Sequence, residues 1–184
     1  IAHFEEAIRQ DPGFARAYSG LADSYLLMGF YGHLPTAEAL AAARGAAQRA
    51  LALDDALAEG HASLAFIHEN YDWDFEKADA HYRRALEINP SYTTALHWYG
   101  LSFLERGRVE EARAVLLRAR ESDPLSPVAV NDVAACDFYA GLYDRAIAQH
   151  RALLESEPEH AWTWWALGRA YTHAGRHAEA ITRA

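Results

Sequence analysis

"WWALGRAY", residues 164 to 171, holds Trp164, Leu167, Gly168 and Tyr171 in the order W-x2-L-G-x2-Y. On a helix these four fall at i, i+3, i+4 and i+7, so they share one face. A catalytic motif occurs once in a chain, whereas a structural motif returns at a fixed interval. This one returns. Ala78, Ala112, Ala146 and Ala180 are spaced by 34 residues, as are Pro90, Pro124 and Pro158 in the phrases "EINP", "ESDP" and "SEPE". Pro12 in "RQDPGF" starts the same phrase, and in the next copy, "ALDDAL", Asp55 stands where the proline would fall.

The interval, the W-x2-L-G-x2-Y segment, the later alanine and the closing proline together resemble the tetratricopeptide repeat over nearly the whole chain. The resemblance implies an all-α fold, a right-handed superhelical solenoid of antiparallel helix-turn-helix hairpins. Residues 1–184 then form a single solenoid, with a partial repeat at 1–13, repeats at about 14–56, 57–91, 92–125 and 126–159, and a partial repeat at 160–184. The chain opens at Ile1 without Met and inside a helical pattern, and ends at Ala184 inside another. We read it as a fragment of a longer protein.

Apolar periodicity predicts a partial helix at 1–10, then pairs at 14–29 and 36–53, 57–70 and 75–88, 92–106 and 109–122, and 126–140 and 143–156. A last pair covers 160–174 and 177–184. Gly107, Gly141 and Gly175 fall in the turns within pairs, where a left-handed cap suits a residue without a side chain. Gly100 and Gly168, with Ala22, Ala65 and Ala134 at equivalent places, are expected to let paired helices approach closely. The second unit is nine residues longer than the others at "MGFYGHLPT" (28–36), and the third is one longer at "YDWDF" (71–75). The longer insertion fits either a functional loop or a tolerated surface extension.

Composition narrows the function. Seventeen Lys and Arg stand against 26 Asp and Glu, a net charge of −9, and no basic stripe forms of the kind a nucleic acid needs. No apolar run approaches the ~18 residues of a membrane span. The lone Cys136 forbids an internal disulfide and fits a reducing compartment such as the cytoplasm.

In tetratricopeptide proteins the first helices of the hairpins line a concave surface that holds peptides. Carried over unit by unit, that stripe holds Arg16 and Asp23, then Glu59, Phe66, Glu69 and Asn70, then His97, Trp98, Leu101 and Glu105. Asn131, Asp132, Phe138 and Tyr139 follow, then Trp162, Trp165, Arg169 and His173. We therefore expect peptide-binding residues Phe66, Asn70, His97, Trp98, Leu101, Asn131, Phe138, Tyr139, Trp162, Trp165 and Arg169. Aromatic side chains offer area with few torsions to freeze, and the amides can pair with a peptide backbone. Family members that clamp chaperone tails place Lys and Asn on the early first helices. Here Ser19, Asp23, Glu59, Ala62, Ser63 and His97 stand there, so that cationic seat is missing.

No enzyme is expected. Phosphate loops and Ser-x-Gly elbows are absent, and His173 and His177 are separated by a turn at Gly175. His61 and His68 lie seven apart, too far to share an ion unless other ligands close in. Asp72, Asp74, Glu76 and Asp79 read as a helix start capped by Asp72 or Asp74, since a calcium loop would need a glycine. No metal or other cofactor is expected. The phrases at 58–92 and 121–132 are similar to repeat regions of bacterial regulators, which implies an interaction or sensory module of a larger signalling protein. The alternative is a self-association element joined through its terminal repeats, where Ile1, Phe4, Ile8, Ala180 and Ile181 are expected bare.

Overall fold

The computed structural model describes residues 1–181, and among them every regular element is an α-helix. They are α1 (Ala2–Gln10), α2 (Ala15–Phe30), α3 (Thr36–Leu53), α4 (Ala58–Asn70), α5 (Phe75–Ile88) and α6 (Thr93–Glu105). Then come α7 (Val109–Ser122), α8 (Pro127–Tyr139), α9 (Tyr143–Ser156), α10 (Ala161–His173) and α11 (His177–Ile181). Each lies within a residue of its periodic segment, except that the predicted end of α11 at 182–184 falls outside the described residues.

The connectors between hairpins, 11–14, 54–57, 89–92, 123–126 and 157–160, are all four residues long. Their second position is Pro12, Asp55, Pro90, Pro124 or Pro158, and their first is acidic or Asn. The reason is an Asx turn: Gly13 N donates to Asp11 Oδ1 at 2.9 Å, Ala56 N to Asp54 Oδ1 at 3.0 Å and Ser91 N to Asn89 Oδ1 at 3.2 Å. The side chain takes the amide that the ended helix leaves unpaired. A proline at the second position then costs no hydrogen bond.

Turns within the last three hairpins, 106–108, 140–142 and 174–176, are shorter, with Gly107, Gly141 and Gly175 at φ of 71°, 76° and 74°. The residue 34 before Gly107 is Trp73, which adopts φ 55° with a full side chain. Of the two expected caps for α5 it is Asp74 that acts, accepting from Lys77 N at 3.1 Å. Asp72 turns away to take both nitrogens of Arg44 on α3, at 2.7 and 2.9 Å. The nine extra residues of the second unit mostly lengthen helices: α2 and α3 run 16 and 18 residues, against 13 and 14 for α4 and α5.

The chain clusters into two compact units, the first Ile1–Ala95 and the second from Leu96 onward. In the first, alanine does most of the packing: Ala22, Ala43, Ala47, Ala50, Ala62 and Ala65 are fully covered, around Ile67 and Tyr82. Phe4, expected bare, lays its ring against Gly20, so α1 is partly seated on α2. In the second unit Ala146, Ile147, Leu154, Leu167, Ala170 and Tyr171 form a continuous core, with Phe138 and Trp164 packed on it. The Trp164–Tyr171 stripe thus faces its own hairpin, and Trp164 Nε1 donates to Pro158 O at 2.7 Å.

The two motif glycines differ. A Cβ on Gly100 would lie 2.3 Å from Leu116 Cδ2, whereas one on Gly168 would meet nothing within 4 Å. The expected close approach at Gly168 is therefore absent among the described residues. Leu116 stands 16 residues after Gly100, and the same step from Gly168 reaches Ala184, outside them.

Candidate interaction surface

Helices α8 and α10 are first helices of consecutive hairpins in the second unit. A 13-residue helix whose core stripe is spent on its hairpin partner still presents a second stripe. On α10 that stripe is Trp162, Trp165, Arg169 and His173, and on α8 it ends in Phe138 and Tyr139. The structure brings these together. The Trp162 and Trp165 rings meet edge to face at 5.4 Å. The Arg169 guanidinium lies over Trp165 at 4.5 Å and over Phe138 at 4.6 Å, a cation shared by two rings. Phe138 also meets Tyr139 at 5.5 Å, and His173 edge-on at 5.0 Å. Outward exposure remains high, at 48% for Trp162, 53% for Trp165 and 43% for Tyr139.

Other expected site residues have structural partners. His97 Nδ1 and Asp132 Oδ2 lie 2.5 Å apart, joining α6 to α8 through a carboxylate that is itself buried. Asn131 Oδ1 accepts from Thr163 Oγ1 at 3.3 Å, so part of its amide serves the α8–α10 packing. Trp98 and Leu101 are half-buried on α6. Phe66 and Asn70 belong to the first unit, where Asn70 Nδ2 donates to Phe66 O at 3.1 Å. There Asp23 Oδ1 accepts from Ser63 Oγ at 2.6 Å. Burial raises the Asp23 carboxyl to about 6, against the lowering by the Ser63 bond, and Glu59 adds to the rise.

Two groupings escaped the sequence reading. Buried Asp137 gathers Arg113 at 2.9 Å, Gln149 at 2.5 Å and Arg145 at 3.4 Å, a polar node locking α8 to α7 and α9. Its partners lie 24, 12 and 8 residues away, with no motif linking them. The other is a histidine cluster: His81 on α5 puts its Nδ1 2.9 Å from that of His61, and stacks on His68 at 5.5 Å. His61 Nε2 faces the Asp55 carbonyl at 3.1 Å, and His68 Nδ1 faces Asp72 at 2.8 Å. Burial lowers the His61 and His81 imidazoles, His81 to about 4 with a further push from its two neighbours. Among the described residues no group of three or more His, Cys, Asp and Glu is placed to hold a metal ion. Cys136 is buried, and burial pushes its thiol up to about 11, away from nucleophilic use.

Residues 74–127 and 137–184 match the family model for the tetratricopeptide repeat. A search of curated proteins finds no match. Among solved structures the chain is similar to YrrB, a TPR protein with an unusual peptide-binding site, at 21% identity and a TM-score of 0.60 over 97% of this chain and 87% of that one. It is similar to a tetratricopeptide repeat protein from Parabacteroides merdae at 20% identity and a TM-score of 0.71, over 98% and 68%. It is also similar to the human IFIT1 dimer with m7Gppp-AAAA, at 20% identity and a TM-score of 0.78 over 97% of this chain and 43% of that one. These likenesses concern the fold, an all-α solenoid of helical hairpins.

Proposed function

Because the chain belongs to the tetratricopeptide repeat family, whose hairpins serve as protein-interaction scaffolds, we propose that it is a non-catalytic module binding a peptide or protein segment on the α8–α10 face. One observation carries this reading: a connected row of exposed aromatic side chains, Tyr139, Trp162 and Trp165, on one side of the second unit. Aromatic anchors supply most of the energy in peptide recognition, and soluble surfaces seldom leave several adjacent without a use. YrrB, a TPR protein with an unusual peptide-binding site, supports this reading. His97, Trp98, Leu101 and Asn131 extend the surface in the same unit; Phe66 and Asn70 belong to the first unit and are proposed as contacts of that unit by itself.

The larger context we read as a bacterial signalling or regulatory protein in the cytoplasm, with this chain as its interaction or sensory region. No helix among the described residues is long and apolar enough to cross a membrane. The human IFIT1 dimer holds m7Gppp-AAAA, but a chain of net charge −9 opposes a phosphate backbone, so we assign no nucleic acid to this one.

Selection from a random 12-residue peptide display library, with Trp162→Ala/Trp165→Ala protein as the counter-selection, tests the assignment. Peptides that bind the native protein and lose the double variant are expected. An unenriched library, or peptides indifferent to both tryptophans, would remove the surface from consideration. Light scattering over a concentration range then checks the self-association alternative, which predicts a mass rising with concentration and falling when Ile1 and Phe4 are replaced.

A further inference from the structure

Arg169 lies between the Phe138 and Trp165 rings, and among the described residues its guanidinium has no carboxylate or hydrogen-bond partner. Three other arginines of the second unit are engaged. Arg113 and Arg145 hold Asp137, and Arg176 holds Asp144 and Glu179. Resting on the peptide-binding reading above, we propose that Arg169 is the carboxylate receptor of that surface and that the partner carries an Asp or Glu side chain next to an apolar or aromatic residue.

Three features support this. First, a guanidinium whose carbon lies 4.6 Å from one ring centroid and 4.5 Å from another is held by both rings and has few rotamers left to lose. The planar fork of a guanidinium matches a carboxylate in two-point fashion. Ring faces satisfy the positive charge only in part, and take none of the donors.

Second, the flanking residues say which kind of carboxylate. Trp162 and Trp165 lie toward the start of α10 from Arg169, while His173, Phe138 and Tyr139 lie toward its end. Contact surface therefore continues past the cation in both directions. A chain terminus would leave one side empty, so an internal side chain, with its peptide running on past it both ways, is the better fit.

Third, the charge distribution allows it. The chain is acidic as a whole, but residues 1–95 hold fourteen Asp and Glu against seven Lys and Arg, whereas residues 96–184 hold twelve against ten. Repulsion of an acidic ligand is thus concentrated away from the second unit's sequence. The basic residues of a tail clamp are missing from the early helices, and this seat, on α10 and built from stacking, is a different device.

The test uses the peptides selected above, displayed inside constant flanks so that no free terminus enters the random region. Acidic residues should be enriched beside aromatic ones. For one such peptide, Glu→Gln replacement should weaken binding at least tenfold to the native protein and by less than threefold to Arg169→Gln. Arg169→Lys, which keeps the charge but loses the flat fork, should fall between. Helical circular dichroism shows that the variants remain folded. Selected peptides that require the tryptophans yet lack acidic residues, or a Glu→Gln penalty unchanged in Arg169→Gln, overturn this inference and leave the surface assignment standing. Failure to select any tryptophan-dependent peptide overturns both.

Discussion

At the scale of single residues, the repeat predicts what the same substitution does at two equivalent places. Gly100→Ala drives a methyl into Leu116, a fully buried side chain, and overpacking of that kind costs about 1–3 kcal/mol. Gly168→Ala meets nothing within 4 Å among the described residues. The helix gains up to about 1 kcal/mol there from the better helix former. Urea melts of the two variants should move in opposite directions. Trp73 offers a third case. It occupies the left-handed region that glycine holds in the next three turns, and a non-glycine residue there is strained by about 1–2 kcal/mol. Because Trp73 is 74% exposed, little packing is lost on removal of its side chain. Trp73→Gly should therefore leave the melting midpoint unchanged or raise it, and a clear fall would show that the indole has a packing role.

At the scale of elements, helix ends rather than helix interiors set the phase of the array. The Asx turns at Asp11, Asp54 and Asn89 hold the four-residue connectors, and Asp74 alone caps α5, where the turn is one residue longer. Asp74→Ala removes the acceptor of Lys77 N, and loss of such a cap costs about 0.5–2 kcal/mol. Hydrogen exchange should show the loss concentrated in the first turn of α5. Protection lost evenly across the chain would mean that the cap matters less than the Arg44–Asp72 brace beside it. The long hairpin α2–α3 shows how an insertion is absorbed: its helices run 16 and 18 residues against 13 and 14 for α4 and α5, while the turn at 31–35 stays short.

At the scale of the whole molecule, acid lability follows from buried histidines. Burial lowers both His81 and His150 from 6.5 to about 4. A group whose folded value is depressed binds fewer protons when folded, so its stabilising effect is present above 6.5 and is lost as pH falls toward 4. Asp23, raised from 3.8 to about 6, works the other way and regains stability over nearly the same range. Two histidines oppose one carboxylate, so the thermal midpoint should fall between pH 6.5 and 4. His150 is 1% exposed and its Nδ1 has no hydrogen-bond partner among the described residues. It stands 34 residues after Leu116, in the same register. His150→Leu should therefore stabilise the protein and flatten the pH profile. An unaltered profile would place the acid sensitivity at the histidine cluster of α4 and α5 instead.

The 34-residue spacing and the W-x2-L-G-x2-Y segment determined the hairpins to within a residue, because helix ends are encoded locally in glycine, proline and Asx signals. The stripes were legible for the same reason: a fixed turn of 3.6 residues places Trp162, Trp165 and Arg169 on one side of α10 whatever surrounds it. Contacts between side chains of different elements were not legible, since they depend on side-chain reach across a packed boundary. Asp137 with its three partners, Asp72 turned to Arg44 rather than capping, and His81 meeting His61 are all of that kind. So is the difference between Gly100 and Gly168: one motif letter, yet only the neighbouring helix decides whether the absent side chain leaves room that something else fills. The aromatic row was written in the sequence. That Arg169 lies between two of its rings, without a carboxylate among the described residues, was decided by α8 packing beside α10.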